Sequence, residues 1–139
     1  MAEDIFDKII SGEIPSYKVY EDDDVLAFLD LSQATPGHTL LVPKQHVADI
    51  YAYDDALAGK VLTKIPFIAR AIKASDDKII GMNILVNNGE QAGQSVFHSH
   101  IHFIPRYQDD GLNLPAPTEA HDISEAEYKK CAQQIRDQF

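Results

Sequence analysis

Three of the chain's six histidines fall at alternating positions in one short run, Gly93-Gln94-Ser95-Val96-Phe97-His98-Ser99-His100-Ile101-His102-Phe103-Ile104. Alternation is the period of a β-strand, where side chains at i, i+2 and i+4 share a face and stand about 6.8 Å apart at ~3.4 Å per residue. A strand over 96–104 lines one face with His98, His100 and His102 and turns Phe97, Ser99, Ile101 and Phe103 to the other. Three imidazoles on one face suit three tasks. They can form a polar face bonded to its neighbours. They can ligate zinc, as His-x-His on a strand does. Or one neutral imidazole can attack phosphorus while the others hold the phosphate oxygens.

The residues before the histidines favour phosphate. Gly93 allows close backbone approach, and Gln94 and Ser95 offer backbone N–H and hydroxyl donors to an oxyanion. Asn87, at the end of the preceding strand, adds a side-chain amide if the two strands pair. Each has an ordinary alternative: Gly93 as a turn residue, Ser95 as a polar strand start, Asn87 as a turn former. Beside the three histidines the phosphate reading is the stronger.

Around this segment the chain reads as α+β with a largely antiparallel five-stranded sheet. Asp4 caps a first helix carrying Phe6, Ile9 and Ile10, stopped by Gly12 and Pro15. Residues 17–20 and 25–30 flank an acidic turn, Asp22-Asp23-Asp24, as a hairpin. A third strand covers 39–42 and ends at Pro43. From 54 to 73 the apolar positions Leu57, Val61, Ile65, Ile68 and Ile72 form a helical stripe that Pro66 is expected to kink. Residues 78–86 and 96–104 are two more strands, joined by a loop over 87–94. The stretch 105–117 has no clear period. Ser124 and Glu127 form a capping box that opens a last helix through Tyr128, Ala132 and Ile135.

Composition bounds the partners. The chain has 139 residues, 45% of them hydrophobic, which suits one domain with one core. Its net charge of −10 argues against nucleic acid or an anionic membrane as partner. A small anion is still accessible to a pocket of backbone N–H groups and histidines. The single Cys131, an acidic N-terminus without an apolar stretch behind it, and no apolar run of ~20 residues lead us to expect a cytoplasmic protein.

The histidine run reads His98-Ser99-His100-Ile101-His102-Phe103-Ile104 and resembles the signature of the histidine triad (HIT) superfamily, His-φ-His-φ-His-φ-φ, with Ser99 at an apolar position. The likeness extends from about Asp4 to Tyr107, through Gly12-Glu13-Ile14-Pro15, Pro36-Gly37-His38-Thr39, Val42-Pro43-Lys44, Asn87-Asn88-Gly89, Gly93-Gln94-Ser95-Val96 and Pro105-Arg106. This resemblance implies a nucleotide hydrolase in which His100 attacks the α-phosphorus to form a nucleotidyl-histidine that water hydrolyses. His102 and Ser95 would contact phosphate oxygens, and His98 would support the nucleophile. Asp30 would take the ribose hydroxyls, although it could equally cap a turn. Phe6, Ile9, Ile14, Phe28 and Leu31 would line the base, although ordinary core is an alternative for them. His38 is expected to be a structural histidine near the site. The substrate class implied is purine nucleoside phosphoramidates or dinucleoside polyphosphates; the rivals are a nucleotidyl transferase and a nucleotide-binding regulatory module. The family also implies a homodimer in which two sheets join, through the long middle helix and the fourth strand.

Many bacterial members of that family hold a structural zinc through a Cys-x-x-Cys, a later histidine and the first triad histidine. Here those positions are Asp4, Asp7, His46 and His98. Carboxylates replace the thiolates that make structural zinc tight. The expectation is therefore no stoichiometric zinc and no cofactor, with a hydrogen-bonded Asp–His cluster instead.

Overall fold

A computed structural model describes residues 3–114 and 122–139 of the chain. Its first helix, α1 (Ile5–Ser11), is fixed at both ends by local chemistry. The Asp4 carboxylate accepts from the Asp7 backbone N–H at 2.8 Å and the Asp7 carboxylate accepts from that of Asp4 at 3.2 Å, a reciprocal cap. Gly12 ends the helix at φ 85°, a left-handed position that glycine adopts without a Cβ penalty. Strands β1 (Lys18–Glu21) and β2 (Val25–Leu29) form the expected hairpin, and Asp22 closes its turn by accepting from the backbone N–H groups of Asp24 and Val25.

Strands β3 (Thr39–Pro43), β4 (Gly81–Val86) and β5 (Ile101–Arg106) complete an antiparallel sheet of order β1-β2-β3-β5-β4. Both faces of its centre are covered, so β2 and β3 are apolar in nearly every residue rather than alternating. Val25, Ala27, Leu41, Ile101 and Phe103 meet Leu57, Val61, Ile68 and Ile72 from two helices on one side. Leu26, Phe28, Leu40 and Val42 meet Phe6 and Ile9 of α1 on the other.

The middle helix differs from the single kinked one expected. It is two helices, α2 (Asp55–Val61) and α3 (Lys64–Ser75). In a continuous helix the Pro66 ring would strike the carbonyl of Leu62. The chain breaks at Leu62 and Thr63 instead, and Pro66 falls in the first turn of α3, where its missing N–H has no intrahelical partner to lose. The apolar stripe survives the break: Leu57, Val61, Ile68 and Ile72 are all buried. The last helix, α4 (Glu125–Arg136), starts at Ser124 through the expected cap to the Glu127 N–H at 3.1 Å, and none of its residues is buried. Residues 115–121, the end of the aperiodic stretch expected over 105–117, lie outside the described residues.

The strand expected over 96–104 is the larger correction. β5 begins only at Ile101 and runs through Arg106, and the last two residues of the run before it, Ser99 and His100, follow an irregular path. The physical reason is a competing partner: the Ser99 N–H donates to the Val47 carbonyl at 2.7 Å, outside the sheet. The Ser99 hydroxyl lies 2.9 Å from that of Tyr53, which is how a serine is accommodated at an apolar position. Phe97, expected on the strand face opposite the histidines, is half exposed.

Candidate functional site

His102 is the one triad histidine that the sheet itself positions. It lies in β5 opposite Leu40 of β3, on the α1 side. The His100 ring centroid stands 5.0 Å from that of His102 and 4.9 Å from Phe6. His98 diverges. Its ring is fully buried and turns toward Asp4, Asp7 and His46 rather than joining the other two in a row. The expected shared face therefore holds for His100 and His102 and not for His98.

The hydrogen bonds assign the tautomers. His100 Nδ1 lies 2.8 Å from the His98 carbonyl, which can only accept, so Nδ1 carries the proton and Nε2 keeps its lone pair. At His38, the Ala34 backbone N–H donates to Nδ1 at 3.2 Å, so its proton is on Nε2. That Nε2 is 3.0 Å from His102 Nδ1, which therefore accepts and leaves His102 with an Nε2–H. One imidazole thus offers a lone pair and its neighbour a donor. His38, expected to be structural, is the group that sets the His102 tautomer. No local pattern reveals this, because it depends on the antiparallel pairing of β3 with β5.

Electrostatics keep both rings neutral at ordinary pH. Burial lowers the pKa of His100. Burial, with His100 and His38 alongside, pushes that of His102 down to about 4. Near them, one Asp30 carboxylate oxygen accepts from the Ser32 N–H at 2.8 Å, and the other lies 3.7 Å from His38 Nε2. Asp30 is thus a turn cap with a second oxygen turned to the histidines.

The loop before the triad is only partly as expected. Gly93 is left-handed at φ 100°, and a Cβ there would lie 3.6 Å from the Asn87 amide, so the connecting loop folds back to bring Gly93 beside Asn87 at the end of β4. Ser95 is exposed just beyond them. Gln94 does not offer its donors outward. Its backbone N–H binds the Gly89 carbonyl, its side-chain NH2 binds the carbonyls of Ala48 and Val96, and its side-chain carbonyl accepts from Gly89. It braces the loop. Around the rings, Phe6 packs edge-on to Phe28 at 5.8 Å, Ile9 is buried, and Ile14 and Val96 are half-buried beside them. Phe28 and Ile9 are chiefly core. Leu31 is 81% exposed in the turn after β2 and joins no apolar cluster among the described residues.

Comparison with known proteins gives the family and the fold. A family model described as HIT domain matches residues 11–109. The crystal structure of a HIT-family protein from Bacillus subtilis superposes with a TM-score of 0.91 at 49% identity, covering 97% of this chain and 96% of that one. Adenylylsulfatase HINT3 of Arabidopsis thaliana is 43% identical over 86% of this chain and 60% of its own length. Adenosine 5'-monophosphoramidase HNT1 of Candida albicans is 36% identical over 86% of this chain and 81% of its own.

Proposed function

The chain belongs to the HIT family, whose members similar to it include nucleotide hydrolases, and from that premise we propose that it cleaves purine nucleoside phosphoramidates or dinucleoside polyphosphates at the α-phosphate through a nucleotidyl-histidine. The observation that carries the reading is the tautomer pair: an unprotonated Nε2 on His100 beside an Nε2–H on His102. His100 Nε2 forms the bond to phosphorus while the bond to the leaving group breaks, and the leaving group takes a proton from water. The His102 Nε2–H donates to a non-bridging oxygen, where charge accumulates in the transition state. The charge gained by the His100 ring is held at Nδ1–H by the His98 carbonyl. Water then attacks the phosphorus, the electron pair returns to Nε2, and one water is consumed overall. Asn87 and Ser95 supply further donors to the phosphate, and Phe6 and Ile14 apolar surface to the base.

The Asp30 oxygen facing the histidines is the acceptor for the ribose hydroxyls. Such a charge-assisted pair contributes on the order of 1.5–3 kcal/mol. Asp30→Ala is therefore expected to weaken ribonucleotide binding by roughly ten-fold or more and 2′,3′-dideoxy analogues much less. Calorimetric titration of both ligands measures this, and equal losses would leave Asp30 as a turn cap alone.

For assembly we infer a homodimer joined through β4. It is an edge strand, and beside it a cleft of about 560 Å³ is lined by Ala69, Ile80, Met82 and Ile84. Ile80 is 72% exposed, an apolar edge that a monomer would leave open to aggregation. Sedimentation velocity is expected to give a dimer for the parent chain and a monomer for Ile84→Asp. No helix among the described residues is long and apolar enough to cross a membrane.

A further inference from the structure

The peptide between His98 and Ser99 carries two hydrogen bonds that bear on His100. Its carbonyl accepts from His100 Nδ1–H at 2.8 Å, and its N–H donates to the Val47 carbonyl at 2.7 Å. Like every peptide among the described residues it is trans, so its C=O and N–H point in opposite directions. The two bonds therefore form one line, from the Val47 carbonyl through the peptide to the imidazole, and each polarises the other. That line serves the imidazole at only one rotation of the peptide plane. Were the plane to turn, the carbonyl would leave Nδ1, and the ring would be free to carry its proton on Nε2 instead.

A second grip on the same residue fixes the rotation. Ser99 is only 2% exposed, and its hydroxyl lies 2.9 Å from that of Tyr53. Tyr53 packs against the cluster of Leu57, Val61 and Ile68 on the helix side of the sheet, whereas His100 meets Phe6 on the other. The hold comes from behind the site. Val47 and Tyr53 belong to one short segment that is itself pinned: Asn88 Oδ1 accepts from the Ile50 N–H at 2.9 Å, the Gln94 side-chain NH2 donates to the Ala48 carbonyl, and Tyr53 leads directly into Asp54, the cap of α2. Stability does not account for the hydroxyl pair, because two buried hydroxyls that satisfy each other are nearly neutral against an apolar pair of the same shape.

We propose that Tyr53 and Ser99 are positioning residues for the nucleophile: their hydroxyl pair locks the His98–Ser99 peptide, and that peptide holds His100 with its proton on Nδ1 and its lone pair on Nε2. The inference rests on the role of His100 proposed above. When the ring gains positive charge on bonding to phosphorus, the locked carbonyl already faces Nδ1–H, so nothing has to reorient at that moment. The anchor therefore acts on the chemical step rather than on binding.

Tyr53→Phe, Ser99→Ala and the double variant separate this role from packing. Each single variant leaves one buried hydroxyl without its partner and should lower Tm; the double variant leaves none and should regain part of it. With an adenosine phosphoramidate, all three should lose kcat on the order of ten-fold with KM little changed. The double variant should lose no more than the worse single one, since the two hydroxyls act as a unit. A second readout needs no turnover: the ring nitrogen NMR signals of His100 in the free protein, at a pH where the ring is neutral. The parent chain should show a protonated Nδ1 and a bare Nε2, and the variants should show signals averaged toward a mixture of tautomers. A parent chain with that ring pattern but no turnover would tell against the proposed hydrolysis, while the ring signals of the variants would still decide the anchor. Unchanged ring signals in Tyr53→Phe and Ser99→Ala, or a kcat that recovers together with Tm in the double variant, would overturn the proposal.

Discussion

Replacing His100 by alanine is expected to lower turnover of an adenosine phosphoramidate by about three orders of magnitude or more, because no other group supplies the nucleophile. Nucleoside monophosphate should bind almost as before, since Phe6, Ile14 and Asp30 are untouched. Covalent trapping of labelled nucleotide on the protein should vanish with the activity. The parent enzyme's pH profile belongs to the same test. In the proposed mechanism His100 attacks only when neutral, and burial lowers its pKa from 6.5, so the neutral form persists to lower pH than in free imidazole. The acid limb of the rate is therefore expected below pH 6.5. Undiminished turnover in the variant would remove His100 from its role.

The second large effect is expected at His38, which touches no reacting atom and acts through His102. Alanine there removes the Nε2–H that His102 Nδ1 accepts, so His102 is free to take the opposite tautomer and lose its donor toward phosphate. A fall in kcat on the order of 10–100-fold with little change in KM is the usual scale for losing a group that orients a functional imidazole. The split between kcat and KM distinguishes this from mere loss of packing, and the acid limb, set by His100, should stay where it is. His38→Gln, which restores an N–H donor, should recover part of kcat. A variant with lower Tm but unchanged kcat would return His38 to a structural role.

Much of this molecule is decided by contacts a few residues long, and those features are legible in sequence. Asp4 with Asp7 and Ser124 with Glu127 announce helix starts because a cap needs only a side-chain acceptor within the first turn. The stripe from Leu57 to Ile72 announces a buried helical face, and the hairpin around Asp22 announces itself by its turn. The alternating histidines, with Gly93 and Asn87 before them, likewise mark the family.

What the tertiary structure decided depends on partners distant in the chain. Alternation alone makes residues 96–104 a strand, but the bond from Ser99 to Val47, 52 positions away by residue number, delays β5 to Ile101 and turns His98 out of line with its neighbours. Pro66 marks a disturbance, while the carbonyl it would strike places the break at Leu62 and Thr63. His38 acquires its role only because β3 pairs with β5 in a register that sets Leu40 opposite His102. Gln94, an apparent phosphate donor, spends every donor on the loop that holds it. Residue types and their local spacing determine which chemistry is available; a lone pair and a donor come to face one site only when strand register and loop path bring remote segments together.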